Sequence, residues 1–284
     1  MDQKNSIDKA YAVCKKIALG HYENFPVGSF LLPRRLRNHF YALYAFMRTA
    51  DDYADMPERR ANEKQALLKY WRSQLDLICG GGESHEPVFI ALKNSIQSMN
   101  LPVSPLYRLL EAFEFDATGQ VKFNTFEELR WYTHRSANPV GELVLALFGE
   151  NSEANVRLSD DICTALQLLN FIQDIREDLS IERFYYPTQD FAQTGIFQLS
   201  SDTDPKLLSN VALNELDRVE SLLNLGSPLT ESVRGRLRYE LRAIVRSARK
   251  MIAKIRATGG DTFSQRPNLS KSEHFLTLIQ ALMS

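Results

Sequence analysis

Two clusters of aspartates, far apart in the chain, lie within sequence that is otherwise typical of buried helices. The first cluster holds Asp51, Asp52 and Asp55, and the second holds Asp174 and Asp178. Carboxylates four residues apart lie on one face of a helix, and like charges at that spacing destabilise an isolated helix by about 0.2–0.5 kcal/mol per pair. Apolar neighbours indicate that these faces are shielded from water, which raises the cost of the charges. The sequence therefore predicts two facing helices whose aspartates bind divalent cations between them.

Composition excludes several classes of protein. The chain has 284 residues, of which 44% are apolar, and this is enough for a substantial core and excludes a disordered protein. The formal net charge is -1, so no global field attracts nucleic acid and no such partner is expected. Three widely spaced cysteines fit neither a disulfide framework nor a zinc cluster, and they predict a reducing compartment. They are Cys14, Cys79 and Cys163.

The expected localisation is cytoplasmic. Residues 1–6 lack the apolar run of a signal peptide. No stretch reaches the roughly 18 uninterrupted apolar residues that a membrane span requires. Peripheral contact with the inner face of the cell membrane stays open, because the helix predicted between Arg234 and Arg256 is basic on one side and apolar on the other. That basic face can serve a diphosphate, an anionic membrane surface or only solvent.

Helical periodicity dominates the chain, and alternating strand patterns are scarce. The predicted helices are 36–56, 60–79, 87–99, 104–118, 125–149, 153–182, 205–225, 229–258 and 270–283. Since no stretch has the composition of a linker and no repeat is present, we predict a single all-α domain over residues 1–284 around a central cavity. The irregular segment 183–203 is either a lid over a binding site or a surface connection.

Polar side chains suited to a diphosphate share the two acidic faces. They are Tyr44 and Arg48 in the first helix, and Gln167 and Asn170 in the second. Magnesium prefers hard oxygen ligands and typically takes one or two carboxylates together with phosphate oxygens. Metals held in this way would neutralise a departing diphosphate and leave a carbocation. A single pair of aspartates on a helix usually lies on a solvent-exposed face. The repetition of the pattern in a second cluster favours metal binding.

A carbocation requires a dry site, and aromatic faces stabilise its charge. Four aromatic residues near the acidic helices are candidates for the wall, with core packing as the alternative for each: Phe25, Phe30, Phe46 and Phe171. Pro139 and Gly141 predict a kink, which is either structural or opens the backbone toward a ligand. No glycine-rich dinucleotide fingerprint is present, so a nicotinamide cofactor is not expected.

The order Tyr44, Arg48, Asp51-Asp52 and Asp55, followed by Gln167, Asn170, Asp174 and Asp178, resembles the squalene/phytoene synthase family. The resemblance runs from about His21 to the C-terminal helices. It implies a class I isoprenoid synthase fold in which both aspartate motifs bind Mg²⁺ and a prenyl diphosphate across the cavity. The implied metal ligands are Asp51, Asp52, Asp55, Asp174 and Asp178.

The resemblance also implies roles for other residues. Tyr44, Arg48, Asn170 and Gln167 match positions that contact the diphosphate or its metals, and Tyr132 matches a tyrosine near the reacting carbons. The implied catalytic residues are Tyr44, Arg48, Tyr132 and Asn170. The predicted substrate-binding residues are Asn24, Phe25, Arg48, Gln167, Asn170, Gln173 and Arg266. Asn24 stands where relatives often have serine, and its role is open.

Longer strings indicate a branch of this family. They are 23–33, 48–55, 135–141 and 170–174, and they look like the bacterial hopanoid-pathway branch called HpnC, which is hydroxysqualene synthase. Such an enzyme ionises presqualene diphosphate, and water captures the rearranged cation without a hydride donor. Many condensing relatives carry arginine where this chain has neutral Gln173, and a missing cation there suits an enzyme that binds one diphosphate instead of two.

Two alternatives stay open. One is condensation of two farnesyl diphosphates to presqualene diphosphate or squalene, or a phytoene-type reaction. The other is a non-catalytic helical assembly or membrane-adaptor protein on the same fold, against which stands the presence of all five aspartates. The expected partners are a prenyl diphosphate, either presqualene or farnesyl, and the neighbouring enzymes of the pathway.

Overall fold

A computed structural model describes residues 2–20, 32–119, 121–192, 199–200, 202–270, 272–273, 277 and 280–281. The α-helices in these ranges are α1 (Asp2–Gly20), α2 (Arg37–Asp55), α3 (Ala61–Cys79), α4 (Pro87–Met99), α5 (Ser104–Asp116), α6 (Phe126–Ser136), α7 (Asn138–Phe148), α8 (Glu153–Gln173), α9 (Ile175–Ser180), α10 (Pro205–Gly226), α11 (Leu229–Ser232) and α12 (Gly235–Ala257). Short 3-10 turns lie at Arg34–Leu36 and Thr188–Asp190. The same ranges contain no β-strand, and an isolated bridge pairs Lys122 with Phe184.

The all-α prediction is confirmed, and three predicted helices are divided. The predicted helix 125–149 is α6 and α7, because Pro139 lacks the N–H that would continue the helical ladder. The predicted helix 153–182 breaks at Asp174, and 229–258 breaks before Gly235, whose φ is 62°. Most of the predicted helix 270–283 lies outside the described residues.

Helix α1 was not predicted from the sequence. Its buried side chains are small except for Tyr11, and they are Ala10, Tyr11, Cys14 and Ala18. Small apolar residues give a weak hydrophobic stripe, so the periodicity that identifies an amphipathic helix is faint here. The helix is held by tertiary packing against α2 and α4.

The chain divides into two compact units. The first comprises Met1–Thr118 and Glu142–Asn151, and the second comprises Gly119–Gly141 and Ser152–Ser284. Organisation as a single domain stays a prediction. No helix in the described part of the chain is long and apolar enough to cross a membrane.

An aromatic core anchors α2 in the first unit. Phe46 is 0% exposed, and its ring lies 6.2 Å from that of Trp71 and 5.9 Å from that of Phe89. The indole N–H of Trp71 donates to the carbonyl oxygen of Phe46 at 3.2 Å. Phe46 is therefore a core residue, as the core-packing alternative for it stated. Fixing α2 in this way also fixes the acids on its last turns.

A polar network joins α1, α2 and α4 within that unit. The Tyr11 hydroxyl donates to Asn94 Oδ1 at 2.9 Å, and the Ser95 hydroxyl donates to the Ala91 carbonyl at 2.9 Å. His39 Nδ1 lies 3.1 Å from both hydroxyl oxygens. Because both hydroxyl protons are already used, a neutral His39 with its proton on Nδ1 satisfies the network. Burial lowers the pKa of His39 below its usual 6.5.

The contribution of His39 to the free energy of unfolding is expected to fall as the pH drops below about 6.5, because unfolded His39 binds its proton before folded His39 does. The loss continues until the pH passes below the lowered pKa of the folded state. His39→Gln should flatten this dependence, measured by urea denaturation at a series of pH values. His85→Gln, at an exposed position in the same unit, should preserve it. Equal pH slopes in the wild-type protein and in His39→Gln would show that His39 is not held neutral.

In the second unit, α8 packs against α10 and α6 through close backbone approaches. A Cβ added at Gly226 would lie 2.6 Å from the Leu158 carbonyl oxygen. A Cβ at Gly141 would lie 2.6 Å from Cys163 Sγ. The kink that Pro139 and Gly141 predict therefore has a structural cause, since it lets the first turn of α7 lie directly on α8.

Candidate functional site

The first acidic cluster occupies the last turns of α2, where the helix dipole disfavours negative charge by about 0.3–1 kcal/mol per group. Arg48 compensates part of this charge. Its Nη1 lies 3.1 Å from Asp51 Oδ2, and its Nη2 lies 2.6 Å from Asp52 Oδ1. The side chains of Asp51 and Asp52 are 39% and 40% exposed, so this face is partly shielded from water. Asp55, at the end of the helix, is exposed.

Arg48 retains one hydrogen-bond donor that the protein does not use. Its Nε is buried and has no hydrogen-bond partner. A buried guanidinium donor without an acceptor is costly, and an anionic oxygen is the acceptor it binds best. One turn earlier, burial raises the pKa of Tyr44 against the opposing effect of Arg48. Tyr44 therefore keeps its phenolic proton at neutral pH and can donate it to the same anion.

The second acidic cluster lies at the junction of α8 and α9. Asp174 leaves helical geometry, with φ -101° and ψ 10°, and separates the two helices. Helical spacing nevertheless continues, because Asp174 N donates to the Asn170 carbonyl and Asp178 N donates to the Asp174 carbonyl, both at 2.9 Å. The backbone angles of Asp174 therefore interrupt the stripe predicted for Asn170, Asp174 and Asp178. The backbone hydrogen bonds between residues four apart nevertheless continue along it.

Arg266 reaches the second cluster from the segment that follows α12. Its Nε donates to Asp174 Oδ1, and this hydrogen bond raises the pKa of the guanidinium. The two side chains are 43% and 33% exposed, so the pair contributes about 0–1 kcal/mol to stability. Each acidic cluster therefore has an arginine on its carboxylates, Arg48 in one case and Arg266 in the other.

Gln173 holds the segment that carries Arg266. Its side chain is 8% exposed, and its amide Nε2 donates to the Pro267 carbonyl at 2.8 Å. Pro267 is also buried, so this bond satisfies a carbonyl that has little access to water. Gln173 was predicted to bind substrate; in the structure its donor is occupied by the backbone next to Arg266.

Gln173→Ala is expected to reduce the free energy of unfolding by about 1–3 kcal/mol, because it leaves the buried Pro267 carbonyl unpaired. Amide hydrogen exchange should accelerate most in 261–269, around Pro267. Gln167→Ala, on the same helix, removes the same side chain and serves as the control. Equal exchange in the two variants would show that the bond does not hold the segment.

An aromatic cluster lies next to the second acidic stripe. Tyr132 is 3% exposed, and its ring centroid lies 5.8 Å from that of Tyr185 and 6.4 Å from that of Phe171. Phe171 and Tyr185 stack at 3.8 Å, and Phe123 lies 5.5 Å from Tyr132. Stacked aromatic faces of this kind stabilise a nearby cation. Tyr132 and Phe171 were predicted, whereas the other two rings were missed.

The sequence contains a signal that could have identified Tyr185 as a member of this cluster. Phe184, Tyr185 and Tyr186 stand together at the start of the irregular segment 183–203, and three adjacent aromatic residues are unusual for a surface connection. The Tyr186 hydroxyl donates to the Phe171 carbonyl at 2.9 Å. Burial, reinforced by the charges of Glu215, Asp178 and Asp174, raises the Tyr186 pKa well above its usual value, so this donor stays protonated.

The structure gives only the exposure of two further predicted side chains and does not describe three other residues. Asn170 is exposed and Gln167 is half-buried on α8. Asn24, Phe25 and Phe30 lie outside the described residues. The role of each of these in substrate binding stays a prediction.

The donor set of the two clusters fits magnesium. Within the residues that the structure describes, no three His, Cys, Asp or Glu side chains converge as a ready-made metal cage. Magnesium does not require one, since it usually takes one or two carboxylates and completes its shell with water and phosphate oxygens. Half-exposed carboxylates such as Asp52 and Asp174 offer oxygen ligands of that kind. A cation at these oxygens would replace the guanidinium groups of Arg48 and Arg266.

Comparison with known proteins gives a consistent result. The profile of the squalene/phytoene synthase family matches residues 19–273. A phytoene synthase of Mycobacterium tuberculosis is 31% identical over 274 residues, which cover 93% of this chain and 87% of the relative. A hydroxysqualene synthase of Sinorhizobium fredii is 31% identical over 269 residues, covering 93% and 89%. The crystal structure of squalene synthase HpnC from Alicyclobacillus acidocaldarius has 35% identity and a TM-score of 0.80, covering 91% of this chain and 98% of that one.

Proposed function

Because the chain belongs to the squalene/phytoene synthase family, we propose that it is a hydroxysqualene synthase. Its fold is that of the squalene synthase-like isoprenoid synthases, and the family processes prenyl diphosphates. In the proposed reaction the bond between carbon and the diphosphate oxygen of presqualene diphosphate breaks, and the diphosphate leaves with the electron pair. The rearranged carbocation then gains the oxygen of water, which loses one proton, and hydroxysqualene forms.

The proposed roles follow from the chemistry of the two clusters. Asp51, Asp52, Asp55, Asp174 and Asp178 would hold Mg²⁺, which neutralises charge on the leaving diphosphate when it is bound. Arg48 would donate its unused Nε–H to a diphosphate oxygen, with Tyr44 as a second donor.

The carbocation requires different surroundings from the diphosphate. Tyr132, Phe171 and Tyr185 offer aromatic faces for the cationic carbons. The same rings exclude bulk water, so that a single water captures the cation at one carbon.

The neutral side chain of Gln173 is the observation that most supports this reaction over condensation. A condensing enzyme must bind two diphosphates, and many such relatives have an arginine at this position. Here the side chain is neutral, buried and bonded to the Pro267 carbonyl, so it supplies no charge to a second diphosphate. This supports a reaction with one diphosphate substrate.

The competing reaction is head-to-head condensation of two prenyl diphosphates. The observation that favours it is the similarity to a phytoene synthase, which at 31% identity equals the similarity to a hydroxysqualene synthase. A non-catalytic assembly or adaptor role is disfavoured, because such a role does not need two clusters that together keep five aspartates.

Product analysis distinguishes these reactions. The purified protein with Mg²⁺ and without NADPH would receive presqualene diphosphate or, separately, farnesyl diphosphate, and the products would be identified by gas chromatography and mass spectrometry. Hydroxysqualene from presqualene diphosphate is the expected result. Conversion of farnesyl diphosphate to presqualene diphosphate, with presqualene diphosphate unchanged in the first arm, would assign the chain to the condensing branch.

The product of the proposed reaction is an almost pure hydrocarbon that must pass into a membrane or to the next enzyme. We therefore propose that the protein works at the inner face of the cell membrane, as a peripheral protein, beside the enzymes that supply presqualene diphosphate and consume hydroxysqualene.

A further inference from the structure

An open cavity of about 530 Å³ lies where α12 meets the turn between α10 and α11. Three arginines and a single glutamate supply its charged lining: Arg242, Arg246, Arg249 and Glu231. The rest of the lining is Ser227, Pro228, Thr230 and Val245. None of these residues belongs to either acidic cluster or to the aromatic cluster, so the roles proposed above leave this cavity unexplained.

The three arginines lie on one face of α12. Their spacing of four and then three residues places them side by side along the helix, where like charges repel. Glu231 compensates one of them, since both of its carboxylate oxygens accept hydrogen bonds from Arg242, at 2.8 Å and 3.0 Å. Arg249 donates to the neutral side chain of Asn224 at 3.1 Å. Two positive charges therefore remain without a carboxylate among the residues that line the cavity.

Arg246, which lines the cavity, carries a donor that no protein group satisfies. Its Nη1 is buried and has no hydrogen-bond partner. A buried charged donor without an acceptor is unfavourable, because the group has given up its hydration without a replacement. A basic helix face that served only solvent would keep its guanidinium groups hydrated.

We propose that this cavity is a binding site for a phosphate group, with Arg246 and Arg249 as the charged ligands and Arg242 held in place by Glu231. A guanidinium group donates two parallel hydrogen bonds to phosphate oxygens and supplies the acceptor that Nη1 lacks. A phosphate monoester has the negative charge that two uncompensated arginines favour. Two sources share this chemistry: a free phosphorylated metabolite and the headgroup of an anionic lipid.

The site is independent of the proposed reaction. Its ligands are cations, so it binds an anion without a metal, whereas the aspartate clusters bind a diphosphate only through Mg²⁺. In the presence of a chelator the aspartate clusters hold no Mg²⁺, and the difference between cavity variants and a variant outside the cavity then reports on this site.

The test uses the whole protein in EDTA. Inorganic phosphate is titrated by calorimetry, and co-sedimentation is measured with phosphatidylcholine vesicles that contain or lack phosphatidic acid. The variants are Arg246→Gln and, at an exposed position in the same cavity, Arg249→Gln, which carries little risk to folding. Arg236→Gln removes the same charge at an exposed position of the same helix outside the cavity and is the control.

Loss of one charged donor is expected to weaken binding by about tenfold or more. Weaker phosphate binding in the cavity variants but not in Arg236→Gln supports a free phosphorylated ligand. Weaker binding to phosphatidic acid vesicles with the same pattern supports a lipid headgroup. Equal behaviour of all three variants with both probes, or no binding of either probe by the wild-type protein, would overturn the proposal.

Discussion

Replacement of Asp174 by asparagine is expected to slow turnover of the prenyl diphosphate by about a thousandfold or more, because a metal that stabilises a leaving group contributes several kcal/mol to the transition state. Asparagine keeps the size of the side chain and its oxygen but removes the charge that attracts Mg²⁺. Asp51→Asn should have an effect of similar size, since each cluster is proposed to hold metal.

Stability should change little in the Asp174 variant. The bond that it loses to Arg266 joins two partly exposed groups, and such pairs contribute about 0–1 kcal/mol. Single-turnover kinetics measures the chemical step, and far-ultraviolet circular dichroism verifies the helices. Glu177→Gln removes one carboxylate from an exposed position on α9 and is the matched control, with nearly wild-type turnover expected. An active Asp174→Asn variant would refute the metal sites.

Phe46→Ala is expected to lower the free energy of unfolding by about 3–5 kcal/mol, the range for removal of a fully buried phenylalanine ring. Phe46 is 0% exposed and packs against Trp71 and Phe89, so the change leaves a cavity that these rings cannot fill. The loss should be measured by urea denaturation followed by tryptophan fluorescence.

Leu77→Ala in the same unit is the control, because this side chain is 40% exposed and its removal should cost less than about 1 kcal/mol. A loss of similar size in the two variants would mean that Phe46 does not anchor the core. Turnover of Phe46→Ala, measured below its melting temperature, should fall as well, because the same helix positions Arg48 and Asp51.

The aspartate clusters could be recognised from sequence because their signal is local. Acids at a spacing of four residues within an apolar helix form a pattern that needs no knowledge of the rest of the fold. The structure places Arg48 between Asp51 and Asp52, as the shared stripe indicated. Helix α1 was missed for the opposite reason, since its small buried residues leave almost no local pattern.

Sequence periodicity was a poor guide to where helices stop. Asp174 breaks the predicted helix 153–182 without a glycine or a proline, and the positions of its neighbours in the tertiary structure decide that break. The aromatic residues show the same limit. Phe46 and Phe171 both lie on helices near acids, but one fills a core and the other stacks on Tyr185.

The sequence by itself determined that this protein is all-α, that it belongs with enzymes that process prenyl diphosphates, and that its aspartates are grouped in two clusters. These properties follow from which residue types stand within a few positions of one another in the chain. Only the tertiary structure decided that Gln173 bonds to Pro267, that Arg266 lies on Asp174, and that Arg246 lines a cavity while its Nη1 is buried without a partner. The first two contacts join residues more than ninety positions apart, and a side chain's partner at that separation depends on how helices pack and not on any local pattern.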